Sequence, residues 1–141
     1  MPNGNRASIL LDTCALLWIS NNEPIATSAM AELQAVDDAG MQLAASPISA
    51  WELGNLVSRG RLALGMEPSQ WFRQVLEAGV ALAPMPPDVL IASAFLPASP
   101  LRDPADRILA ATARAFGYRL MTRDGPLLAY AAAGHLRAIP C

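Results

Sequence analysis

Apolar residues come along this chain in short clusters broken by polar turns, and their spacing switches repeatedly between strand-like runs and helix-like stripes. Residues 8–11 read as a short buried strand that ends at Asp12. Residues 13–19 continue apolar and read as a helix. Thr27 or Ser28 caps a second helix through Val36, which Asp37-Asp38-Ala39-Gly40 ends. Residues 41–45 predict a second strand. Ser46-Pro47 then marks a helix start, with a capping serine and proline at the first helical position. That helix runs to about Ser58 and stops before Gly60. Pro68 opens another, carrying Trp71, Phe72, Val75 and Leu76 at core-like spacing, and Gly79 closes it. A third strand follows at 80–83, and Pro86-Pro87-Asp88 begins a helix through about Leu96. Asp103-Pro104 begins one more, with apolar residues at 105, 108, 109 and 116, ended by Gly117. Residues 120–122 read as a strand, 126–132 as a short helix and 136–139 as a last strand. Alternating strands and helices predict an α/β fold, a three-layer sandwich around a mostly parallel sheet of about five strands. With no repeat, low-complexity tract or linker, residues 1–141 read as one domain.

Composition narrows the class. At 141 residues the chain is long enough for one real core. It is 53% hydrophobic and 16% charged, which excludes a disordered chain. Its apolar content is rich in alanine and leucine, which favours helix. No uninterrupted apolar stretch has membrane-spanning length, so no membrane partner is expected. Asn3, Asn5 and Arg6 precede only a short apolar run, unlike a secretory signal. Cys14 and Cys141 make no disulfide framework, and a reducing cytoplasm is the plain inference.

The net charge of −2 does not suit a nucleic-acid partner, but its distribution does. Residues 1–58 hold one arginine against six acids, whereas 102–124 hold five arginines against three aspartates. The plain alternative for the arginine cluster is a solvated helix face.

Four acids stand just after apolar runs or in the opening turns of helices: Asp12, Glu52, Asp106 and Asp124. Open α/β sheets place ligands at the carboxyl edge of their strands, where such positions converge. Converging carboxylates repel one another unless a cation lies between them, and oxygen-only ligands favour Mg²⁺ or Mn²⁺. Metal-dependent phosphodiester chemistry is therefore the first hypothesis. Each acid also has a structural alternative. Asp12 is a natural N-cap. Glu52 lies too deep in its helix to cap it, and an exposed helix glutamate would explain it. Flanking Trp51 and Leu53, with Leu56 beyond, instead suggest a helix buried on several sides, where a glutamate needs a partner. Asp103 before Pro104 is an N-cap signature and Asp106 falls where a capping box places its second acid. Asp124-Gly125 also spells a turn.

Order and spacing carry what single residues do not. Leu-Leu-Asp-Thr-Cys-Ala-Leu-Leu-Trp (10–18), Ser-Pro-Ile-Ser-Ala-Trp-Glu-Leu (46–53), Arg-Asp-Pro-Ala-Asp-Arg-Ile-Leu-Ala-Ala-Thr-Ala (102–113) and Leu-Met-Thr-Arg-Asp (120–124) together resemble the PIN domain. Within it they resemble the VapC-type toxins of bacterial type II toxin–antitoxin pairs. The third block is similar to a subgroup whose helix opens His-Arg-Asp-Pro-Phe-Asp-Arg, with Leu101 and Ala105 here in place of the His and Phe. The resemblance implies that Asp12, Glu52, Asp106 and Asp124 bind Mg²⁺ or Mn²⁺, with Thr122 in the family's small hydroxyl position and Asp103 auxiliary. It also implies endonucleolytic cleavage of RNA, control by a cognate antitoxin, and a homodimer, for which the Trp71-Phe72 helix offers a contact.

In such a site a metal ion generates the nucleophile from bound water and neutralises charge on the phosphate. Asp12 and Asp106 would be primary ligands, Glu52 would orient or deprotonate the water, and Asp124 would hold a second ion or the first through water. An acidic cleft repels RNA, so arginines must grip the flanking phosphates; Arg102, Arg107 and Arg123 lie nearest the acids, and Arg59 and Arg61 could extend the track. His135 is expected to be exposed rather than catalytic, Cys14 to be a small packed side chain, and Trp18, Trp51 and Trp71 to be core or interface anchors. A dehalogenase-type phosphotransfer enzyme needs a second aspartate where Cys14 stands, and a receiver domain needs a lysine, which this chain lacks. A DNA-directed nuclease and a non-catalytic binding module on the same fold stay open as rivals.

Overall fold

The computed structural model describes residues 8–141; the polar start from Asn3 to Arg6 lies outside them. Its elements, in chain order, are β1 (Ile9–Leu11), α1 (Thr13–Ser20), α2 (Thr27–Asp38), β2 (Leu43–Ala45), α3 (Pro47–Ser58), α4 (Pro68–Glu77), β3 (Ala81–Leu82), α5 (Pro87–Ala92), α6 (Pro104–Phe116), β4 (Arg119–Thr122), α7 (Gly125–Ala132) and β5 (Arg137–Pro140). The strands form one five-stranded sheet in the order β3-β2-β1-β4-β5. Every neighbouring pair is parallel, with Leu10 beside Ala44 on one side and Leu120 on the other. That is the predicted three-layer α/β sandwich.

Strand geometry dictates the layers. Successive side chains of a strand point to opposite faces, so in β1 Ile9 and Leu11 enter one core while Leu10 enters the other. The first core is closed by α1, α2 and α4 through Leu16, Val36, Trp71 and Val75. The second is closed by α5, α6 and α7 through Val89, Leu109, Leu127 and Tyr130. Helix α3 bridges the layers, with Leu53 in the first core and Ile48 against the second. All three residues of β1 are fully buried, and burial of each such side chain is worth about 1.5–3 kcal/mol. A strand covered on both faces reads as an unbroken apolar run, which is why β1 was legible.

Element ends differ from expectation where local hydrogen bonding decides them. Helix α5 stops at Ala92 rather than near Leu96, and the chain turns through Ser93 to Phe95 instead. There Ser93 bonds back to the Leu90 carbonyl, a local bond that competes with helix continuation. Helix α2 begins at Thr27 after Ala26, without a side-chain cap. Strands β2 and β3 are shorter than read, at 43–45 and 81–82. At the α6 end, Gly117 takes φ +73°, the left-handed conformation that glycine adopts without steric cost.

The sheet order reverses direction at β1: the chain moves outward through β2 and β3, then returns to β4 on the other side. This switch point leaves a crevice at the carboxyl ends of β1 and β4, where α/β sheets bind ligands.

Candidate active site

Each predicted acid is brought to that crevice by a different element. Asp12 follows β1 and caps α1, its Oδ1 accepting from the Ala15 amide at 2.7 Å. Its Oδ2 accepts from the Thr122 hydroxyl at 2.5 Å. Thr122 is fully buried at the end of β4 and also accepts from the Asp124 amide at 3.0 Å. Asp124 caps α7 through the Leu127 amide at 3.0 Å. Asp103 caps α6, accepting from Ala105 at 3.4 Å, and Asp106 stands one turn further on the same helix. Because α6 feeds β4 from the opposite edge, its N-terminus lies at the carboxyl edge of the sheet. Glu52, on α3, accepts a short hydrogen bond from Thr13. Capping and site placement therefore coexist at Asp12, Asp103 and Asp124.

These side chains line one pocket of about 350 Å³, formed by Asp12, Thr13, Cys14, Trp18, Glu52, Asp103, Asp106, Leu109, Arg123 and Asp124. Its electrostatics follow from burial and crowding of like charges. Desolvation, and then Asp124, Asp103, Glu52 and Asp12, push the Asp106 carboxyl up to about 7. Asp12 is raised by burial, although bonds from Thr122 and Ala15 and the charge of Arg123 pull the other way. Glu52 is raised by burial against the stabilising bond from Thr13. Carboxyls held above their ordinary range in a cleft are a functional-site signature.

The donor chemistry fits a hard divalent cation: the pocket offers carboxylate oxygens from four chain segments. Its one thiol, Cys14, is exposed to the pocket but partly desolvated there, and that and the surrounding carboxylates push it up to about 11, so it stays protonated at neutral pH. As they stand, no three or more His, Cys, Asp or Glu side chains among the described residues are grouped to hold a metal ion. Asp12, Glu52 and Asp124 are turned instead toward hydroxyl and amide donors.

The arginines divide. Arg123 lines the pocket, its guanidinium 3.7 Å from the Trp18 ring centroid and bonded to the main-chain oxygen of Cys141 at 2.9 Å. Arg102 is exposed beside α6 and does not line the pocket. Arg107 is turned into the segment before α6, donating to the Ser93 and Leu101 carbonyls at 2.8 and 2.5 Å. Its sequence neighbours suggested a phosphate contact, but its geometry is that of a loop brace. Arg59 and Arg61 lie exposed after α3, outside the pocket lining.

Other expectations need correction. Helix α3 is not buried on several sides: Trp51 is 58% exposed, and only Ser49 and Leu53 are buried. Glu52 has its partner nonetheless, in Thr13. Cys14 is exposed at the pocket rather than packed. His135 is half-buried, stacked on Tyr130 with 4.7 Å between ring centroids, away from the acids. Two participants were missed. Thr13 is buried between Glu52 and Ser49, bonding the Ser49 hydroxyl at 2.9 Å. Trp18 is the seat of Arg123. The only signal for either was its place on the helix that Asp12 starts, Thr13 at its first position and Trp18 in its second turn.

Residues 9–133 match the PIN domain family, and the chain belongs to it. It is 38% identical over 117 residues to Ribonuclease VapC22 of Mycobacterium tuberculosis, a match covering 83% of this chain and 87% of that protein. Among solved structures, its fold is similar to a chain in the crystal structure of VapBC2 from Rickettsia felis bound to a DNA fragment from their promoter. The TM-score is 0.64 at 16% identity, covering 94% of this chain and 97% of that one. No described helix is long and apolar enough to cross a membrane.

Proposed function

We infer that this protein is the toxin of a type II toxin–antitoxin pair, an endoribonuclease that hydrolyses RNA phosphodiester bonds with Mg²⁺ or Mn²⁺. The observation that carries the reading is the meeting of Asp12, Glu52, Asp106 and Asp124 in one pocket at the switch point, with Asp106 pushed up to about 7 by burial and the carboxylates around it. The 38% identity to a protein named as a ribonuclease supports RNA as the substrate class. The VapBC2 likeness supports the fold alone; the antitoxin and a cytoplasmic location accompany the toxin reading.

Asp12, Asp106, Asp124 and Glu52 would hold the ion, which supplies charge neutralisation at the phosphate and an acidified water. Thr122 fixes one oxygen of Asp12, and α1 capping fixes the other. Glu52, raised by burial and aimed by Thr13, takes the proton of the attacking water. Arg123 balances the acids for an incoming phosphate. The homodimer belongs to the same reading, but Trp71 cannot serve it, being buried in the first core. Exposed Ile91 and Phe95 are better placed for a partner.

One alternative is a PIN-fold module that binds RNA without cutting it, since among the described residues the acids do not stand as a preassembled three-ligand group. Purified protein incubated with total RNA decides between them. Cleavage in Mg²⁺ or Mn²⁺, stopped by excess EDTA, is expected. Cleavage that persists in EDTA overturns the metal dependence, and binding without cleavage in either ion establishes the module.

A further inference from the structure

Among the described residues, Arg123 is the one cationic side chain lining the acidic pocket, and its guanidinium is unusually constrained. One face lies on the Trp18 ring at 3.7 Å, within cation–π range. One nitrogen, Nη2, is fixed at 2.9 Å to the main-chain oxygen of Cys141. That oxygen is itself anchored, because the Cys141 amide donates to the Thr122 carbonyl at 3.1 Å and the Ala26 amide donates to the same Cys141 oxygen at 3.1 Å. A ring below and an oxygen at one edge define the guanidinium plane. The remaining N–H groups form a fork of the kind that receives two oxygens of one phosphate.

We propose that Trp18 is a positioning residue that holds Arg123 against the non-bridging oxygens of the RNA phosphate adjoining the scissile bond. An arginine on a free stem loses rotamer entropy when it grips a phosphate, and a prepositioned one loses less. The charge also sits where it is needed. Arg123 follows Thr122, which bonds Asp12, and precedes Asp124, and its field lowers the Asp12 carboxyl. Trp18 thus acts through Arg123 and touches no reacting atom.

This rests on the nuclease reading, and a double-mutant cycle on RNA cleavage by the full chain separates the two. Arg123→Ala should raise KM for a single-stranded RNA oligonucleotide about tenfold, with kcat changing less, since a flanking contact contributes binding common to ground and transition states. Trp18→Leu should raise KM about three- to tenfold, the fold-change that a cation–π contact supports. In the Arg123→Ala background Trp18→Leu should change nothing further. Trp18→Phe keeps an aromatic face and should raise KM by about twofold, again only when Arg123 is present. It also keeps the test open if the leucine variant does not fold. Equal Trp18 losses in both backgrounds would overturn the positioning role and reduce Trp18 to packing. No cleavage by the unsubstituted protein in Mg²⁺ or Mn²⁺ would sink the nuclease reading and this inference with it.

Discussion

At Asp12 one carboxylate caps α1 through Ala15 and also faces the pocket, so a replacement separates the two roles only if it still accepts a hydrogen bond. Asparagine keeps an acceptor oxygen for the cap but loses the charge. Asp12→Asn is expected to lower RNA cleavage by at least about 100-fold while leaving the thermal midpoint within a few degrees. A gel assay beside a melting curve checks both halves. Thr13 poses the converse case. Its hydroxyl aims Glu52 and bonds Ser49 inside the structure. Thr13→Val removes those bonds at nearly constant volume and should cost about 1–2 kcal/mol of stability. Cleavage should fall because Glu52 loses its orientation, and an unaltered rate in a destabilised protein would show Thr13 to be structural only.

Among the elements, α6 and the segment before it decide where Asp103 and Asp106 stand. Arg107 braces that segment at Ser93 and Leu101, and Tyr130 bonds the Pro97 carbonyl at 2.7 Å. Arg107→Ala should therefore lower the melting temperature and leave the salt dependence of RNA affinity unchanged, whereas loss of a phosphate contact would make that dependence shallower. Affinity measured across a salt series distinguishes the two. The contrast marks how far sequence reading reaches. Element type was legible because β1 is an unbroken apolar run and because Ser46-Pro47 and Asp103-Pro104 cap as such pairs do. The acids were legible from their places at strand ends and helix starts. Arginine direction was not: Arg107 and Arg123 stand equally close to acids in sequence, but only the fold turns one toward carbonyls and the other toward Trp18. Trp51 misled for a similar reason, since an apolar side chain marks a buried face only when a neighbouring element covers it.

For the whole molecule, the pocket is a strain on stability that depends on pH. Burial and the neighbouring carboxylates push the folded Asp106 carboxyl up to about 7, against an ordinary 3.8. The folded state thus binds this proton more tightly than the unfolded one, and the stability so gained is full below the ordinary value and lost as pH climbs through about 7. Asp12 and Glu52 shift in the same direction. In EDTA the thermal midpoint should fall between about pH 5 and about pH 8, and Asp106→Asn should flatten that slope. Mg²⁺ or Mn²⁺ should raise the midpoint more at the higher pH, because the ion binds the ionised folded form. A midpoint that is level or rising across this range would contradict the assignment of Asp106 to a crowded acidic centre.

Among the described strands the central one, β1, comes first along the chain, yet the bond that Thr122 donates to Asp12 at its end spans 110 positions. A nascent chain emerging at about 5–20 residues per second therefore has Asp12 exposed for seconds with no counterpart to complete the centre. Until β4 docks, Asp12 lacks its Thr122 donor and the acidic centre stays incomplete. A fragment that ends before β4 lacks that donor for the same reason.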